Sequence, residues 1–545
     1  MCDFELNDPS NNIQKNEQLL KKHLSETNGR IITRFPPEPN GYLHIGHAKA
    51  IHVNFNYAKK KNGLCYLRFD DTNPSKEKQE YVTSIIDDIN WLGYNPDKIT
   101  YTSDYFDQLI NFGKKLILLD KAYICELDQE IMQKQRMEMI NSPFRDRPIE
   151  ESLNLFEQMI NKKIKEGEMT LRLKCDMQSN NPIMRDMVAY RIINKIHPKT
   201  GDKYILYPTY DFSHCIIDSL ENITHSLCSI EFQPRNELYR WILDELELYK
   251  PPQIEYCRLT ITNTVLSKRK LINLVEEGIV SGWDDPRMPT IKGIRRRGYT
   301  ANGINEFCRR IGLSLGTTSA LVSYKQLEEY VRIDLDKIST RIFAIINPLK
   351  INIINWEKED IDINIINLPI LGNKSDSHKM KFGKEIYIDR NDFRMQDDPK
   401  YYRLAPNKIV RLRYAFPIKC VKVIEENDEI KELICEYLPN YDKKIKGTIN
   451  WVHYTDNCSV TINEFEHLFP EKFDPKNDLK NQITTKSIKK YDALTDPYLK
   501  NVVSFDKFQF ERIGYFSVDP DSGKEKIIVN KIMNLHESIE KKKIG

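Results

Sequence analysis

The order of apolar and polar residues predicts two strand–helix units near the start of the chain. Residues 31–35 form an apolar run typical of a buried strand, and four apolar residues between positions 48 and 58 recur at steps of three and four, as on one helix face. A second strand is predicted over 64–69 and a second helix over 81–92. Two such units in succession indicate a parallel sheet of the Rossmann type.

A different pattern begins near residue 105 and predicts an inserted α+β segment. Its predicted elements are helices over 105–119 and 150–166 and strands over 169–174 and 187–193. Residues 204–210 are predicted to return to the parallel sheet, with Asp211 and His214 at the strand end. The simplest account is one Rossmann domain that is split by an insertion.

Helices dominate from about residue 265 to 340, and short alternating strands follow from about 341. The predicted strands are 385–388, 409–413, 418–423, 432–437, 448–453 and 515–518. Residues 515–528 predict a hairpin that turns at 520–523, and residues 371–381 predict an exposed loop. Many short strands in succession indicate β-barrels.

The length and composition restrict the number of domains and the class of protein. With 545 residues the chain is too long for one core, and 40% hydrophobic with 30% charged residues is ordinary for a globular protein. No apolar run approaches the roughly 18 residues of a membrane span, and the acidic N-terminus does not resemble a secretory signal, so a cytoplasmic location without membrane contact is expected. The 11 cysteines form no Cys-x-x-Cys pair, so neither a disulfide framework nor structural zinc is expected.

The net charge of +3 is nearly neutral, so a polyanion would have to be held by local basic patches. Such patches occur at 268–270, 295–297 and 309–310. For any one such cluster alone, a solvated surface is the more common explanation.

The most informative stretch lies between the first predicted strand and helix. Residues 36–47 read Pro-Pro-Glu-Pro-Asn-Gly-Tyr-Leu-His-Ile-Gly-His, and such a loop aims backbone N–H groups at a ligand above the strand, which suits a phosphate. His44 and His47 share a helix face and could donate hydrogen bonds to a triphosphate. The stretch resembles the HIGH motif of class I aminoacyl-tRNA synthetases, and its flanking residues narrow the likeness to the glutaminyl/glutamyl branch.

A second stretch, Val-Leu-Ser-Lys-Arg-Lys at 265–270, resembles the KMSKS loop of the same family in its glutaminyl variant. Val265 and Leu266 replace the consensus lysine and methionine, while Ser267 and Lys268 are kept. The phosphate charge is therefore assigned to Lys268.

The resemblance implies that a carboxylate attacks the α-phosphate of ATP, with Mg²⁺ bridging the phosphates. Fixed donors and an ammonium would stabilise the charge that grows on the α-phosphate and on pyrophosphate. The implied catalytic residues are His44, His47 and Lys268. The implied ATP-binding residues are Glu38, Asn40, His44, Gly46, His47, Arg258, Ser267 and Lys268. No metal ligand is expected from protein side chains.

The amino acid is expected at the carboxyl ends of the parallel strands. Asp70 ends the second strand, and the resemblance implies that it binds the substrate ammonium. Arg34 could neutralise a substrate carboxylate or pair with a buried acid. Further amino-acid-binding residues implied by the resemblance are Tyr210, His214, Cys228 and Gln253.

The choice between glutamine and glutamate depends on charge. A buried γ-carboxylate costs several kcal/mol unless a cation pairs with it. Related glutamyl enzymes carry an arginine in the matching His-Ala-Leu-Arg segment, whereas residues 225–228 read His-Ser-Leu-Cys. We therefore predict that no positive side chain meets the far end of the substrate, and that the substrate is the neutral amide.

The C-terminal strands are expected to read the anticodon, since single-stranded bases are recognised by stacking and by hydrogen bonds to their edges. The residues that match glutaminyl-family anticodon contacts are Arg341, Arg403, Gln509 and Arg512.

The resemblance covers nearly the whole chain and implies a multidomain α/β, α and β architecture. The expected segments are an N-terminal tail or short helix (1–26), the first half of the Rossmann catalytic domain (27–104), an acceptor-end-binding insertion (105–207), the second Rossmann half (208–264), the KMSKS-type loop with a helical subdomain (265–340) and two anticodon-binding β-barrels (341–545).

The expected activity is ATP-dependent joining of L-glutamine to tRNA(Gln) by a monomer. Three alternatives stay open at this point: a glutamyl-tRNA synthetase with strict or relaxed specificity, a tRNA-binding scaffold without catalysis, and a HIGH-containing nucleotidyltransferase outside translation.

Overall fold

A computed structural model describes residues 14–313, 319–369, 376–398, 400–474 and 477–535. The described chain forms two compact units. The first comprises the chain up to Ile261 together with Cys308–Val322, and the second comprises Thr262–Phe307 together with the chain from Ser323 onward.

The first unit begins with a helix and a parallel sheet. The elements are α1 (Glu17–Thr27), β1 (Ile32–Phe35), α2 (Ile45–Lys60), β2 (Leu64–Phe69), α3 (Gln79–Trp91) and β3 (Lys98–Tyr101). The three strands pair in parallel in the order β1-β2-β3, which confirms the predicted strand–helix alternation. All four residues of β1 are buried, and so is the predicted apolar face of α2.

Of the tail or short helix expected for residues 1–26, the structure shows a short helix at Glu17–Thr27, while residues 1–13 lie outside the described residues. The side chain of Asn16 caps α1 by accepting hydrogen bonds from the N–H groups of Gln18 and Leu19 at 3.0 and 3.2 Å. The ring of His23 stacks on Tyr249 with 3.6 Å between centroids. A cap and one buried aromatic contact thus anchor this mostly polar helix.

The inserted segment has its own antiparallel sheet. Its elements are α4 (Phe106–Leu118), β4 (Ala122–Cys125), α5 (Gln129–Glu138), α6 (Ile149–Ile160), β5 (Thr170–Leu173), β6 (Val188–Ile192) and β7 (Leu206–Pro208). The strands pair in the order β4-β5-β6-β7. The helix predicted over 150–166 ends at Ile160, because the backbone turns left-handed at Lys162 (φ 60°).

The prediction that residues 204–210 return to the parallel sheet is wrong. Strand β7 pairs antiparallel with β6, with Leu206 opposite Ile192 and Pro208 opposite Tyr190. The apolar run identified a strand correctly, but the composition of one strand carries no information about its partner.

Parallel pairing resumes after this sheet. The elements are α7 (Tyr210–Leu220), β8 (Ser226–Ser229), α8 (Asn236–Glu245), β9 (Gln253–Tyr256), β10 (Arg258–Ile261) and β11 (Ser319–Val322). Strand β8 pairs in parallel with β9, and β10 pairs in parallel with β11. Strand β11 lies inside the range 265–340, where helices were expected to dominate; it was not predicted because four residues are too few to show a period of two.

The second unit starts with helices and continues as strands. The helices are α9 (Lys268–Glu276), α10 (Ile291–Arg297), α12 (Tyr324–Ile338) and, as far as Phe307, α11 (Ala301–Ile311). The first strands are β12 (Thr340–Ile342), β13 (Ala344–Ile345), β14 (Pro348–Ile353), β15 (Ile361–Ile366), β16 (Ser377–Phe382), β17 (Glu385–Asp389), β18 (Ile409–Leu412) and β19 (Pro417–Glu426). The remaining strands are β20 (Glu429–Tyr437), β21 (Thr448–Ile449), β22 (Val452–His453), β23 (Cys458–Phe465), β24 (Ile488–Thr495), β25 (Lys507–Phe510), β26 (Gly514–Val518) and β27 (Ile527–Asn534).

Fourteen of these strands build two seven-stranded sheets, in the orders β12-β25-β26-β27-β23-β24-β13 and β21-β18-β19-β20-β14-β17-β22, while β15 and β16 pair with each other in a sheet of two strands. In the first sheet the two edge strands are separated only by Phe343, and in the second only by Asn450 and Trp451. Each sheet must therefore curl until its edges meet, which confirms the predicted pair of barrels. The rings of Phe343 and Trp451 lie 6.4 Å apart, so the two seams touch.

Several local predictions for this region can be compared with the structure. The hairpin over 515–528 is confirmed, since β26 pairs antiparallel with β27. The strand predicted over 448–453 is two short strands, β21 and β22. Of the loop predicted over 371–381, residues 371–375 lie outside the described residues, and the rest is wrong where Ser377–Phe382 forms β16.

None of the described helices is long and apolar enough to cross a membrane.

We predict that Gly63→Ala lowers the free energy of unfolding by about 2 kcal/mol. A Cβ at Gly63 would lie 2.2 Å from the carbonyl oxygen of Ile31, a backbone atom just before the start of β1 that cannot move aside cheaply. Thermal or urea unfolding measures the change.

Gly523→Ala is the control, because a Cβ there meets no atom within 4 Å and Gly523 has no left-handed φ. It should change stability by less than about 0.5 kcal/mol. Equal effects of the two substitutions would contradict the steric argument.

Candidate active site

The two histidines organise the loop between β1 and α2. His44 is the N-cap of α2, and its Nδ1 accepts a hydrogen bond from the Gly46 N–H at 3.1 Å. The Nδ1 of His47 accepts from the His44 N–H at 3.1 Å. Because both Nδ1 atoms are acceptors, each neutral ring carries its proton on Nε2. The ring centroids are 3.8 Å apart, so two Nε2–H donors stand side by side at the helix start.

Burial keeps His44 neutral. The residue is 8% exposed, and its burial above all, together with the charge of Arg258, lowers its pKa well below the ordinary value of 6.5. Neutral N–H donors beside the positive end of a helix dipole are suited to phosphate oxygens.

The other residues predicted to bind ATP in this unit lie near the start of α2 and on β10. Glu38 is exposed in the proline-rich loop, and the Asn40 N–H donates to its carbonyl oxygen at 2.8 Å. Gly46 is in the first turn of α2. Arg258 opens β10, and its half-exposed side chain donates to Glu231 Oε2 at 3.0 Å.

A buried lysine connects α2 to this arginine. Lys49, 2% exposed, donates from Nζ to the carbonyl oxygen of Cys257 at 2.7 Å. The helix that carries the histidines is thereby tied to the residue before Arg258.

Asp70 follows β2 at its carboxyl end, as predicted. Its N–H donates to the carbonyl oxygen of Pro37 at 3.0 Å, which holds the proline-rich loop beside it. Burial, followed by the negative charge of Glu38, raises the pKa of Asp70 to about 6. A buried carboxylate of this kind gains from a cationic partner, and an ammonium group would supply one.

A pocket lies between α7, β8 and β9. It is lined by Tyr210, Asp211, His214, Ser226, Cys228, Phe232, Arg235, Leu238, Tyr239 and Gln253. Four of the six residues predicted to bind the amino acid are thus brought together, and Ser226 lies opposite Gln253 in the β8–β9 pair.

The predicted residues of this pocket present uncharged groups. Burial raises the pKa of the Cys228 thiol to about 12, so the thiol is neutral at pH 7. Burial also raises the pKa of Tyr210, whose ring stacks on His214 with 4.7 Å between centroids. Within the described part of the chain, Gln253 Oε1 is buried and has no hydrogen-bond partner. A ligand amide or a water molecule could satisfy it.

The prediction that no positive side chain meets this pocket is wrong. Arg235 lines it, with its guanidinium carbon 5.8 Å from the ring centroid of Tyr210 and 5.9 Å from that of Phe232. Arg235 donates a hydrogen bond to the Asp211 carboxylate, so the pair has no net charge. The residue was missed because it enters from the short 3₁₀ turn after β8 and not from the matching segment at 225–228.

Of the two roles expected for Arg34, the structure shows the pair with a buried acid. Arg34 is 1% exposed, and its Nε and one terminal nitrogen donate to the Asp218 carboxylate at 3.0 and 3.1 Å. Its other donors reach the Leu227 carbonyl oxygen at 2.9 Å and Ser226 Oγ at 2.6 Å. A role toward a substrate carboxylate stays a prediction.

A second buried arginine completes this network. Arg68 donates to Asp218 and, at 2.9 Å, to Glu221 Oε2. Burial alone would raise the pKa of Asp218, but the charges of Arg34 and Arg68 hold it below its ordinary range. Two cations face two anions, so the network under the pocket is balanced. His214, which lies above it, has its pKa lowered well below 6.5 by burial.

The predicted phosphate-binding lysine lies in the second unit. Lys268 is the first residue of α9, and the exposed Ser267 is its N-cap. Val265 is 4% exposed and packs with Leu271 and Phe469 in one hydrophobic cluster. The departure from the family consensus at position 265 thus serves as an apolar anchor for the loop.

All four residues predicted to bind the anticodon lie in the second unit and form two pairs. Arg341 on β12 stands directly opposite Gln509 on β25. Both terminal nitrogens of Arg512 donate hydrogen bonds to the Asp392 carboxylate, at 2.8 and 2.9 Å. A terminal nitrogen of Arg403 is 3.1 Å from an oxygen of the same carboxylate. One acid shared by two arginines leaves a net positive charge on this surface.

Within residues 14–313, 319–369, 376–398, 400–474 and 477–535, no group of three or more histidine, cysteine, aspartate or glutamate side chains is placed to hold a metal ion.

Three family models match consecutive parts of the chain. The catalytic domain of tRNA synthetases class I (E and Q) matches residues 30–337, and two anticodon-binding domains of the same family match residues 339–438 and 448–519. The chain belongs to this family.

Curated relatives of this synthetase are similar over nearly its whole length. A protein named probable glutamine–tRNA ligase from Dictyostelium discoideum is 47% identical over 98% of this chain and 69% of its own length. A glutamine–tRNA ligase from Lupinus luteus is 47% identical over 96% and 67%, and one from Clostridium kluyveri is 41% identical over 98% and 99%. A solved glutamate tRNA ligase from Elizabethkingia meningosepticum has a TM-score of 0.42 at 19% identity, over 57% of this chain and 70% of that one, and a likeness this weak carries no argument.

The acids that pair with the arginines of these sites in this synthetase could not be identified from the sequence pattern. These acids are Asp218 for Arg34 and Arg68, Glu231 for Arg258, Asp211 for Arg235, Asp336 for Arg341 and Asp392 for Arg403 and Arg512. Most of them lie more than 20 residues from their partners, so spacing carries no signal. Only Asp211, beside Tyr210, stood next to a recognised site residue.

We predict that His44 and His47 are both neutral Nε2–H tautomers in the folded protein. ¹⁵N NMR of histidine-labelled protein should show this at pH 7, and His44 should stay neutral as the pH falls through 6.5, the ordinary value of its pKa. Because the unfolded chain then binds more protons than the folded chain, His44 removes stability as the pH falls below 6.5.

The control is the same protein unfolded in urea, in which the exposed histidines should titrate with the ordinary pKa. An Nδ1–H signal from either His44 or His47 at pH 7 would contradict the cap geometry.

Proposed function

We propose that this chain is a glutamine–tRNA ligase. It activates L-glutamine with ATP to glutaminyl-adenylate and pyrophosphate, then transfers glutamine to the 3′ end of tRNA(Gln) and releases AMP. The observation that carries the proposal is the charge balance of the pocket, in which every arginine near the neutral Cys228 and Gln253 is matched by an acid. The relatives named glutamine–tRNA ligase, at 41 to 47% identity, support the same substrate.

In the activation step the α-carboxylate of glutamine attacks the α-phosphorus of ATP, and the bond to pyrophosphate breaks. The Nε2–H groups of His44 and His47 are the donors proposed for the phosphates, supported by the cap bonds that fix both rings. Such donors need no reorganisation as charge develops. Lys268 is proposed to bring a further positive charge to the leaving group. Glu38, Asn40, Gly46, Arg258 and Ser267 are proposed as further contacts to ATP.

At the carboxyl end of β2, Asp70 is proposed to bind the substrate ammonium, since burial and the charge of Glu38 raise its pKa and an ammonium would stabilise its charged form. Tyr210 and Gln253 are proposed to hold the carboxamide, because a protonated phenol and an unpaired amide oxygen complement its acceptor and donor. His214 and Cys228 close the pocket. Arg34 acts through Ser226 and His214, which it positions.

Mg²⁺ is proposed to arrive bound to the phosphates of ATP, the ligands that it ordinarily keeps in such sites. The four residues Arg341, Arg403, Gln509 and Arg512 are proposed to contact the anticodon of tRNA(Gln). A cytoplasmic location is proposed by analogy with the relative from Arabidopsis thaliana that is named cytoplasmic. A monomer is retained as the proposed state.

Aminoacylation of total tRNA with labelled glutamine or labelled glutamate tests the proposal. Glutamine should be preferred by about 100-fold or more in kcat/KM, because an unpaired γ-carboxylate would have to be desolvated in the pocket. Lys268→Ala serves as the control for catalysis by this chain and should lose activity with glutamine. Preferred charging with glutamate, or activity that is unaffected in Lys268→Ala, would overturn the proposal.

We predict that Arg403→Ala raises KM for tRNA by about tenfold, because one cation of the shared Asp392 cluster is lost from the proposed anticodon surface. The kcat with saturating tRNA should change little. Steady-state aminoacylation over a range of tRNA concentrations measures both constants.

Lys431→Ala is the matched variant. It removes one positive charge from the same barrel, where Lys431 pairs with Glu429 on β20. Its KM for tRNA should stay within about twofold of the parent. If Arg403→Ala and Lys431→Ala behave alike, Arg403 has no specific contact with tRNA.

A further inference from the structure

The ion pair between Asp211 and Arg235 belongs to the wall of the amino-acid pocket and not to its buried floor. Both residues line the pocket, and the Asp211 side chain is 10% exposed whereas that of Arg235 is 37% exposed. The floor arginines are almost fully buried, so Arg235 is the pocket cation within the described chain that is most open to a ligand.

The elements on both sides hold this pair in place. Asp211 is in the first turn of α7, where a carboxylate is favoured by the helix dipole. Arg235 ends the 3₁₀ turn Ile230–Arg235, and the carbonyl oxygen of Pro234 accepts a hydrogen bond from Asn181 Nδ2 at 2.9 Å. The backbone next to Arg235 is thus held by the inserted segment, and the direction of the Arg235 side chain depends on the groups around it.

The Asp211 carboxylate orients the Arg235 side chain and neutralises its charge. The guanidinium spans the rings of Tyr210 and Phe232 and ends at the carboxylate. Burial alone would lower the pKa of Arg235, but the hydrogen bond and charge of Asp211 raise it above the ordinary value. Without Asp211, a full positive charge would stand about 6 Å from the ring that is proposed to hold the substrate amide.

We propose that Asp211 is a positioning residue for substrate specificity: by neutralising Arg235 at the pocket wall, it prevents this arginine from accepting the γ-carboxylate of glutamate. The inference rests on the proposed function. It differs from the family-based argument, which concerns the missing cation at Cys228. A pocket can reject an anion either by lacking a cation or by pairing the cation that it has.

The test measures kcat/KM for glutamine and for glutamate with the full chain, tRNA and ATP. In Asp211→Asn the ratio of glutamate to glutamine should rise by about tenfold or more, since the carboxamide keeps the shape but removes the opposing charge. In the double variant Asp211→Asn with Arg235→Gln the ratio should return to within about twofold of the parent, because no cation remains to be released.

Asp244→Asn is the control for the loss of an ion pair elsewhere in the same unit. Asp244 lies near the C-terminal end of α8 and pairs with Lys250, which follows that helix. This substitution should leave the ratio unchanged. A purely structural role for Asp211 would lower kcat/KM for both amino acids together, with the ratio constant in Asp211→Asn, and that result would overturn the inference.

A raised ratio that persists in the double variant would also overturn it, because the effect would not require Arg235. Failure of the proposed function is distinguishable, since it would appear as a parent enzyme that does not prefer glutamine before any substitution is made.

Discussion

The buried carboxylate of Asp218 is the constraint on which the candidate active site depends. Two arginines from neighbouring strands, Arg34 and Arg68, converge on it from β1 and β2, and all three side chains are at most 1% exposed. Buried charges of this kind tolerate no missing partner, because an uncompensated ion costs several kcal/mol. The network therefore fixes how α7 and β8 sit against the parallel sheet, and it sets the floor on which His214 and Ser226 stand.

The same principle recurs at the surface sites, with a different consequence. Arg258, Arg235 and the pair Arg403 and Arg512 are each held by an acid, but these arginines are partly exposed. An acid that holds a guanidinium in one orientation reduces the rotamer entropy that a ligand would have to offset. The acid also cancels one positive charge, so the property that matters at each site is the net charge of its cluster of arginines and acids. Arg235 and Asp211 sum to zero, whereas two arginines on Asp392 leave one positive charge.

The two C-terminal barrels close in the same way, and the places where they close are in contact. Each is closed by one short interrupted strand, and the residues at the interruptions include Phe343 and Trp451, both fully buried and in contact. The side chain of Asn450 donates to the carbonyl oxygen of Glu511, one residue before Arg512. The seam of one barrel thus supports the loop of the other that carries a proposed anticodon residue, which explains how residues more than 100 positions apart share Asp392.

The sequence by itself determined the local elements and the motif residues of this synthetase. Strand β2 and the helix after the His44 loop could be predicted because burial of one face imposes a period that is visible in a short window. The residues of the HIGH-like and KMSKS-like segments could be named because their chemistry depends on neighbours in the chain. The specificity of the pocket could be argued only from short segments, chiefly from the missing cation at Cys228 and also from the loop that reads Glu-Pro-Asn at 38–40.

Tertiary structure alone decided the pairing of charges and of strands. Strand β7 joined an antiparallel sheet, and β11 paired with β10 although the opposed residues Arg258 and Ser319 are 61 positions apart, because hydrogen bonding along a strand is nearly independent of which side chains it carries. Arg235 acquired Asp211, and Arg34 acquired Asp218, because electrostatic partners are chosen by distance in space and not by distance along the chain. The charge of a pocket is a sum over such pairs, so it becomes known only when the chain has folded.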